Sequence, residues 1–272
     1  MLHFHENHLE EGTDIMTSLT NTIVFITGAS SGIGRSCAHA FAGAGAKLIL
    51  AARRKDRLEK LAAALKKQFH TETWIGECDV RDNRAVEKFF KKLPDEWRRI
   101  DILVNNAGLS RGLNKLHEGK IEDWEEMIDT NVKGLLYVSR TVLPGMVARN
   151  RGTIINIGSI AGHDVYTGGN VYCATKYAVD ALTKGMRMDL VDTPIRVCTV
   201  DPGLVETEFS EVRFHGDKER AKKTYLNMTP LTPDDIADAV LFAATRPPHV
   251  QIAELIIMPT AQASTTLVHR AQ

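Results

Sequence analysis

The stretch TGASSGIG, Thr27 to Gly34, constrains this chain more than any other. It follows a β-branched run from Thr22 and leads directly into a segment of helical period. A phosphate group bound there needs close backbone approach and free amide N–H groups at a helix N-terminus, and glycine at Gly28, Gly32 and Gly34 permits both. A glycine-rich loop alone also marks plain turns. Strand, loop and helix in that order make a dinucleotide cradle the better reading, with Gly28, Ser30, Ser31, Gly32, Ile33 and Gly34 as candidate contacts.

A cradle of this kind sits in a parallel sheet wrapped by helices, and the rest of the chain repeats the same alternation. Strands are predicted over Thr22 to Thr27, Lys47 to Ala52, Thr73 to Cys78, Ile100 to Asn105, Gly152 to Gly158, Ile195 to Asp201 and Glu254 to Met258. Helices are predicted over Gly34 to Ala44, Lys55 to Gln68, Asn83 to Leu93, Ile121 to Arg149, Val171 to Leu190 and Pro233 to Thr245. Thr232 caps the last of these, with Pro233 at its first position. The expected fold class is α/β: a single-domain Rossmann fold, a doubly wound parallel sheet of about seven strands with helices on both faces. Residues 1–20 read as an N-terminal tail, 21–262 as a dinucleotide-binding and catalytic domain, and 263–272 as a C-terminal tail. Residues 202–230 break the alternation, being long, charged and without strand pattern, and read as a lid over the substrate.

Composition narrows the partners. Lys plus Arg and Asp plus Glu both count 34, which leaves no net field to hold a polyanion, and no basic stripe with interleaved aromatics occurs. Nucleic acid is therefore not an expected partner. The longest apolar runs fall far short of the ~20 residues a membrane helix needs, so no membrane association is expected. Cys37, Cys78, Cys173 and Cys198 lie far apart in apolar surroundings without metal spacing, which fits a reduced, cytoplasmic home. His3, His5 and His8 read as part of an incidental tail, and no metal is assigned.

The end of the second strand sets the cofactor expectation. Enzymes that use NAD place an acidic residue about 20 residues beyond the glycine loop, to accept from the ribose 2′-hydroxyl. Here Arg53 and Arg54 stand at that corner. Guanidinium groups match phosphate bidentately, so the pair predicts the 2′-phosphate of NADP(H). In a doubly wound sheet ligands cross the carboxyl ends of the strands. Asp79 and Val80, Asn106 with Ala107 and Gly108, and Pro202 with Gly203, Val205 and Thr207 should face the cofactor. Asp79 is expected to accept from the adenine amino group.

Tyr172 and Lys176, four apart on one helix, share a face and can meet one ligand. A phenol with an ordinary pKa near 10 is a weak base at neutral pH, and a nearby ammonium favours the phenolate. Ser159 ends the fifth strand, where its hydroxyl can hold a substrate oxygen near the tyrosine. Asn131 is expected either to distort its long helix or to hold a water beside Lys176.

Together these motifs resemble the short-chain dehydrogenase/reductase family over nearly all of Thr20 to Gln262. The resemblance rests on TGASSGIG, NNAG at Asn105 to Gly108, Asn131, Ser159, Tyr172-Cys-Ala-Thr-Lys176 and Asp201-Pro202-Gly203. It implies that Asn131, Ser159, Tyr172 and Lys176 form a catalytic tetrad, and that Tyr172 and Lys176 also touch the cofactor. A narrower similarity, to NADP-dependent 3-hydroxy acid dehydrogenases acting on serine and 3-hydroxyisobutyrate-type compounds, is carried by Leu93 to Trp97, Asp123 to Asn150, Gly168 to Lys176 and Pro202 to Asp217. It implies a homotetramer and a small hydroxy or oxo acid as substrate.

A carboxylate substrate calls for a cation. Arg187 lies 15 residues beyond Tyr172 on the same helix, roughly 22 Å away at 1.5 Å per residue, and reads as a structural ion pair or a subunit contact. Arg213 in the lid is the candidate substrate residue beside Ser159 and Tyr172, with Arg111 and His163 as further candidates. Two rival readings are a broad carbonyl reductase acting on ketones or aldehydes with the same tetrad, and a non-catalytic NADP(H)-binding sensor.

Overall fold

The computed structural model describes residues 18–271. Most of the expected N-terminal tail, including His3, His5 and His8, lies outside the described residues. Strand β1 (Ile23–Thr27) is followed by helix α1 (Gly32–Gly43), β2 (Lys47–Ala52), α2 (Lys55–Phe69), β3 (Thr73–Glu77) and α3 (Asn83–Lys91). Next come β4 (Ile102–Asn105), α4 (Ile121–Ile128), α5 (Gly134–Ala148), β5 (Thr153–Ile157), α6 (Asn170–Asp189) and β6 (Arg196–Pro202). Short helices α7 (Phe209–Arg213) and α8 (Lys218–Lys223) precede α9 (Pro233–Ala244) and β7 (Glu254–Ile257).

All seven strands join one sheet in the order β3-β2-β1-β4-β5-β6-β7, and every pairing is parallel. Alternation along β1 shows why helices cover both faces. Val24 and Ile26 pack with Phe41 of α1, Leu61 of α2 and Val240 of α9. Ile23 and Phe25 turn the other way, to Phe89 of α3 and to Val142 and Met146 of α5. The strand order reverses between β1 and β4, and the cleft at their carboxyl ends is where such sheets bind ligands.

Two expectations change. The single helix predicted over Ile121 to Arg149 is divided by a π-helical turn at Asp129–Lys133. Residues 263–271, read as a tail, fold back on the domain instead. Gln262 bridges Val268, the Ala271 amide donates to Asn227 O at 2.9 Å, and Arg270 donates to Thr224 O at 3.0 Å. Thr232 caps α9 as expected, and its reciprocal bonding with Asp235 makes this a capping box.

Candidate active site

One cleft of about 720 Å³ runs along the strand ends. Its floor begins at the glycine loop. Gly28 has φ +66°, and a Cβ there would come within 2.9 Å of Ala107 Cα. Only glycine lets the β1 end turn this closely against the loop after β4. Gly32 opens α1 with φ +51°, and Ser31, Gly32 and Ile33 bring the first turn of that helix to the cleft. This geometry suits a pyrophosphate. Gly34 does not line the cleft: it packs against Asn106 and the Gly28 carbonyl, which brings helix and strand together. Every other expected cofactor contact borders the cleft.

At the corner after β2, Arg54 is held in place by neutral and charged partners. Its Nε and Nη2 reach Ser30 Oγ at 3.2 Å, its Nη2 reaches Ser31 Oγ at 2.7 Å, and its Nη1 reaches Glu208 at 2.9 Å. Arg57 joins the same carboxylate at 2.6 Å. The two guanidinium groups hold the Glu208 carboxyl below its ordinary range, although partial burial opposes them. Arg53 is half exposed and only 3.7 Å from Glu126. No local signal marks Arg57 or Glu208 in the sequence, because the two meet across 151 residues.

Asp79 borders the cleft, but its carboxylate is gripped by Arg81, with Nε 3.0 Å from Oδ1 and Nη2 2.6 Å from Oδ2. An adenine amino group there would share an acceptor already in use.

The far end of the cleft collects Ser159, Tyr172 and Lys176. Lys176 is 7% exposed, and its Nζ donates to Ile157 O at 2.9 Å. Burial lowers its pKa from 10.5 to about 8, against the pull of Asp201. Tyr172 is also buried, and burial with neighbouring Tyr166 pushes its phenol up, while Arg213 and a hydrogen bond with Ser159 oppose the rise. The expected lowering by Lys176 is not seen here, since Nζ lies 5.8 Å from the ring centroid and points to a carbonyl. Desolvation outweighs a cation at that range. Ser159 Oγ accepts from the Ala161 amide at 3.1 Å and donates to Pro202 O at 3.3 Å, which fixes the turn that presents it.

Asn131 sits inside the π-helical turn, 3% exposed, and does not border the cleft. Its Nδ2 donates to Leu109 O at 2.8 Å and to Thr175 Oγ1 at 3.0 Å, and its Oδ1 accepts from the Leu109 amide at 2.9 Å. The helix distortion expected of it is observed. The side chain ties α6 and the loop after β4 to the widened turn, a frequent device at functional sites.

Arg213 reaches the cleft from α7. Its guanidinium lies 5.2 Å from the centroids of Tyr172 and Phe209, donates to Ser110 Oγ at 3.1 Å and donates to Tyr166 Oη at 2.9 Å. The further candidates do not join it. Arg111 bonds Glu126 at 2.6 Å and Val212 O at 2.5 Å, anchoring α7 from outside the cleft. His163 turns away toward Asp201 and Glu254. Arg187 donates to Val197 O and Ala253 O and, among the described residues, forms no ion pair. Tyr166, Phe209 and Tyr225, with the returning chain at Thr265 to Arg270, complete the walls. Tyr166 and the returning chain carry no motif, and only their proximity marks them.

Comparison with known proteins agrees with the geometry. A family model described as short chain dehydrogenase matches residues 22–218. The NADP-dependent 3-hydroxy acid dehydrogenase of Salmonella typhi is 51% identical over 251 residues, 92% of this chain and all of that protein. The Schizosaccharomyces pombe enzyme of the same description is 46% identical over 258 residues, covering 94% of this chain and all of the relative. A solved closed form of serine dehydrogenase complexed with NADP+ superposes with a TM-score of 0.86 at 48% identity, covering 92% of this chain and all of that one. Family match, near-complete coverage and the Ser159, Tyr172 and Lys176 arrangement agree: the chain belongs to the short-chain dehydrogenase/reductase family.

Proposed function

We propose that the chain is an NADP(H)-dependent oxidoreductase that interconverts a small 3-hydroxy acid, of the serine and 3-hydroxyisobutyrate class, with its 3-oxo acid or semialdehyde. The observation that carries this is one cleft holding the glycine cradle and Arg54 at one end, and Tyr172 under the Arg213 guanidinium at the other. The 3-hydroxy acid dehydrogenases from Salmonella and fission yeast support the same substrate class.

Bound NADP(H) supplies or accepts the hydride. Arg54, already oriented by Ser30 and Ser31, binds the 2′-phosphate, and the α1 N-terminus binds the pyrophosphate. Ser159 turns its hydroxyl from the Pro202 carbonyl to the substrate oxygen and holds it against the Tyr172 hydroxyl. On reduction Tyr172 Oη gives its proton to that oxygen, and on oxidation it takes the proton away. A phenol raised by burial suits the acid role. An oxidised nicotinamide would bring a positive charge that, added to the Lys176 ammonium, would favour the phenolate needed for oxidation. Arg213 pairs with the substrate carboxylate, and closure of α7 over the cleft excludes water. Asn131 keeps the π-helical turn and Thr175 of α6 in register, and so acts as a positioning residue.

A homotetramer and a cytoplasmic home belong to the same proposal. Exposed apolar side chains on packed helices, including Leu136 and Val147 on α5 and Met188 on α6, support association. Among the described residues, no helix is long and apolar enough to cross a membrane.

Initial rates with NADP+ and NAD+ against serine, 3-hydroxypropionate, 3-hydroxyisobutyrate and neutral secondary alcohols test the reading. The hydroxy acids with NADP+ should give the highest kcat/KM. Faster turnover of the neutral alcohols would make the chain a broad carbonyl reductase instead. Tight NADPH binding with no turnover of any of them would leave only the sensor reading.

A further inference from the structure

Behind the cleft, on the far side of Ser159, the fold brings together three side chains from distant parts of the chain. His163 follows the turn after Ser159, Asp201 lies at the end of β6, and Glu254 begins β7. His163 Nε2 is 3.2 Å from Asp201 Oδ2 and 3.0 Å from Glu254 Oε1, and all three atoms lie within 4.8 Å of one another. Asp201 is 2% exposed. Yet none of the three atoms makes a hydrogen bond, because the ring N–H is aimed at neither oxygen. Two carboxylates drawn to one nitrogen without a bond to it are costly in a place this dry.

A cation between the three atoms satisfies all of them at once. Ligands about 2.0 Å from a tetrahedral zinc ion stand roughly 3.3 Å apart, close to the two separations seen here. We propose that His163, Asp201 and Glu254 bind a divalent transition-metal ion of the zinc class, with water completing the coordination. An imidazole with two carboxylates favours such an ion over magnesium or calcium, which prefer oxygen alone. The two carboxylates balance the ion's charge when the imidazole is neutral. Partly exposed His163 and Glu254 give the ion a way in, while Asp201 forms the closed end.

The site does not border the cleft, so the ion takes no part in the hydride chemistry. It fastens the elements that present that chemistry. Asp201 immediately precedes Pro202, whose carbonyl accepts from Ser159, and it packs so tightly on Gly158 that a Cβ there has no room. His163 lies just past the same turn. A bound ion therefore pins the Ser159 turn to the ends of β6 and β7 from behind.

The test uses the full chain, stripped with a chelator, dialysed and titrated with zinc chloride, with bound metal counted by elemental analysis. Any binding by His3, His5 and His8 is common to every variant, so the difference between proteins is the readout. Wild type should hold one zinc per chain more than His163→Asn and Glu254→Gln. It should also show a zinc-dependent rise in Tm, and a visible cobalt(II) absorption, that both variants lose. Glu254→Gln is isosteric and partly exposed, so it keeps the test decisive should His163→Asn fail to fold. Equal zinc content in wild type and Glu254→Gln, with no difference in Tm response, would overturn the proposal.

Discussion

Replacing Lys176 with methionine isolates the cost of a buried ammonium. Burial lowers the Lys176 pKa from 10.5 to about 8. At ~1.36 kcal/mol for each tenfold change in proton affinity, keeping Lys176 charged at pH 7 costs the fold about 3 kcal/mol. Methionine retains most of the stem and removes the charge. Against this, Nζ donates to Ile157 O at 2.9 Å, and leaving that carbonyl without its donor costs about 1–3 kcal/mol. Lys176→Met is therefore expected to be more stable than wild type at pH 7, by about 1 kcal/mol. The sign reverses with pH. Between pH 8 and 10.5 the unfolded chain holds the lysine proton and the folded chain does not, so wild-type stability from this group rises with pH across that window. The variant gains nothing there, and by pH 10 it should fall below wild type by about 1 kcal/mol. The Cys37, Cys78 and Cys198 thiols, each pushed up to about 12 by burial, titrate in both proteins and cancel in the difference. Urea unfolding followed by circular dichroism at pH 7 and pH 10 reads the swing, and turnover should be nearly lost at both. A variant equally destabilised at both pH values would refute the claim that Lys176 is held charged against its burial.

The remaining predictions concern the cleft. Tyr172→Phe should lower kcat by about 10²- to 10⁴-fold and leave NADPH binding, followed by fluorescence, unchanged; near-normal turnover would remove Tyr172 as acid and base. Arg54→Ala should weaken NADPH about 10-fold, the lower end for a charge-assisted contact because the side chain is 41% exposed. Equal weakening of NADH would defeat the 2′-phosphate assignment. Glu208→Gln releases Arg54 and Arg57 from a competing carboxylate, so NADPH should bind more tightly in calorimetry; weaker binding would mean that Glu208 orients the arginines for the phosphate. Arg213→Met should raise KM for hydroxy acids about 10-fold or more and leave neutral alcohols unchanged, and a parallel rise for both would reduce Arg213 to a packing residue of the lid.

Much of the fold was legible in residue order, because its signals are local. Alternation of β-branched runs and helical periods located all seven strands, and TGASSGIG located the turn from β1 into α1. Tyr172 and Lys176 were legible as a pair because helical spacing sets which side chains share a face. The π-helical turn at Asn131 was foreshadowed only as one of two options, since it depends on Leu109 and Thr175, 22 and 44 residues away in sequence. The returning chain after Gln262 was read as a tail because its partners, Asp164, Thr224 and Asn227, lie far earlier in the chain.

The sequence by itself determined the layered sheet, the phosphate cradle and the spacing of Tyr172 with Lys176, all consequences of backbone geometry over a few residues. Only the tertiary structure decided which charges meet and how dry they are. It set Glu208 between Arg54 and Arg57, turned Lys176 toward Ile157, and drew His163 away from the cleft to Asp201 and Glu254. The physical reason is that desolvation and pairing depend on distance in space, and chain neighbours carry no record of what folds against them.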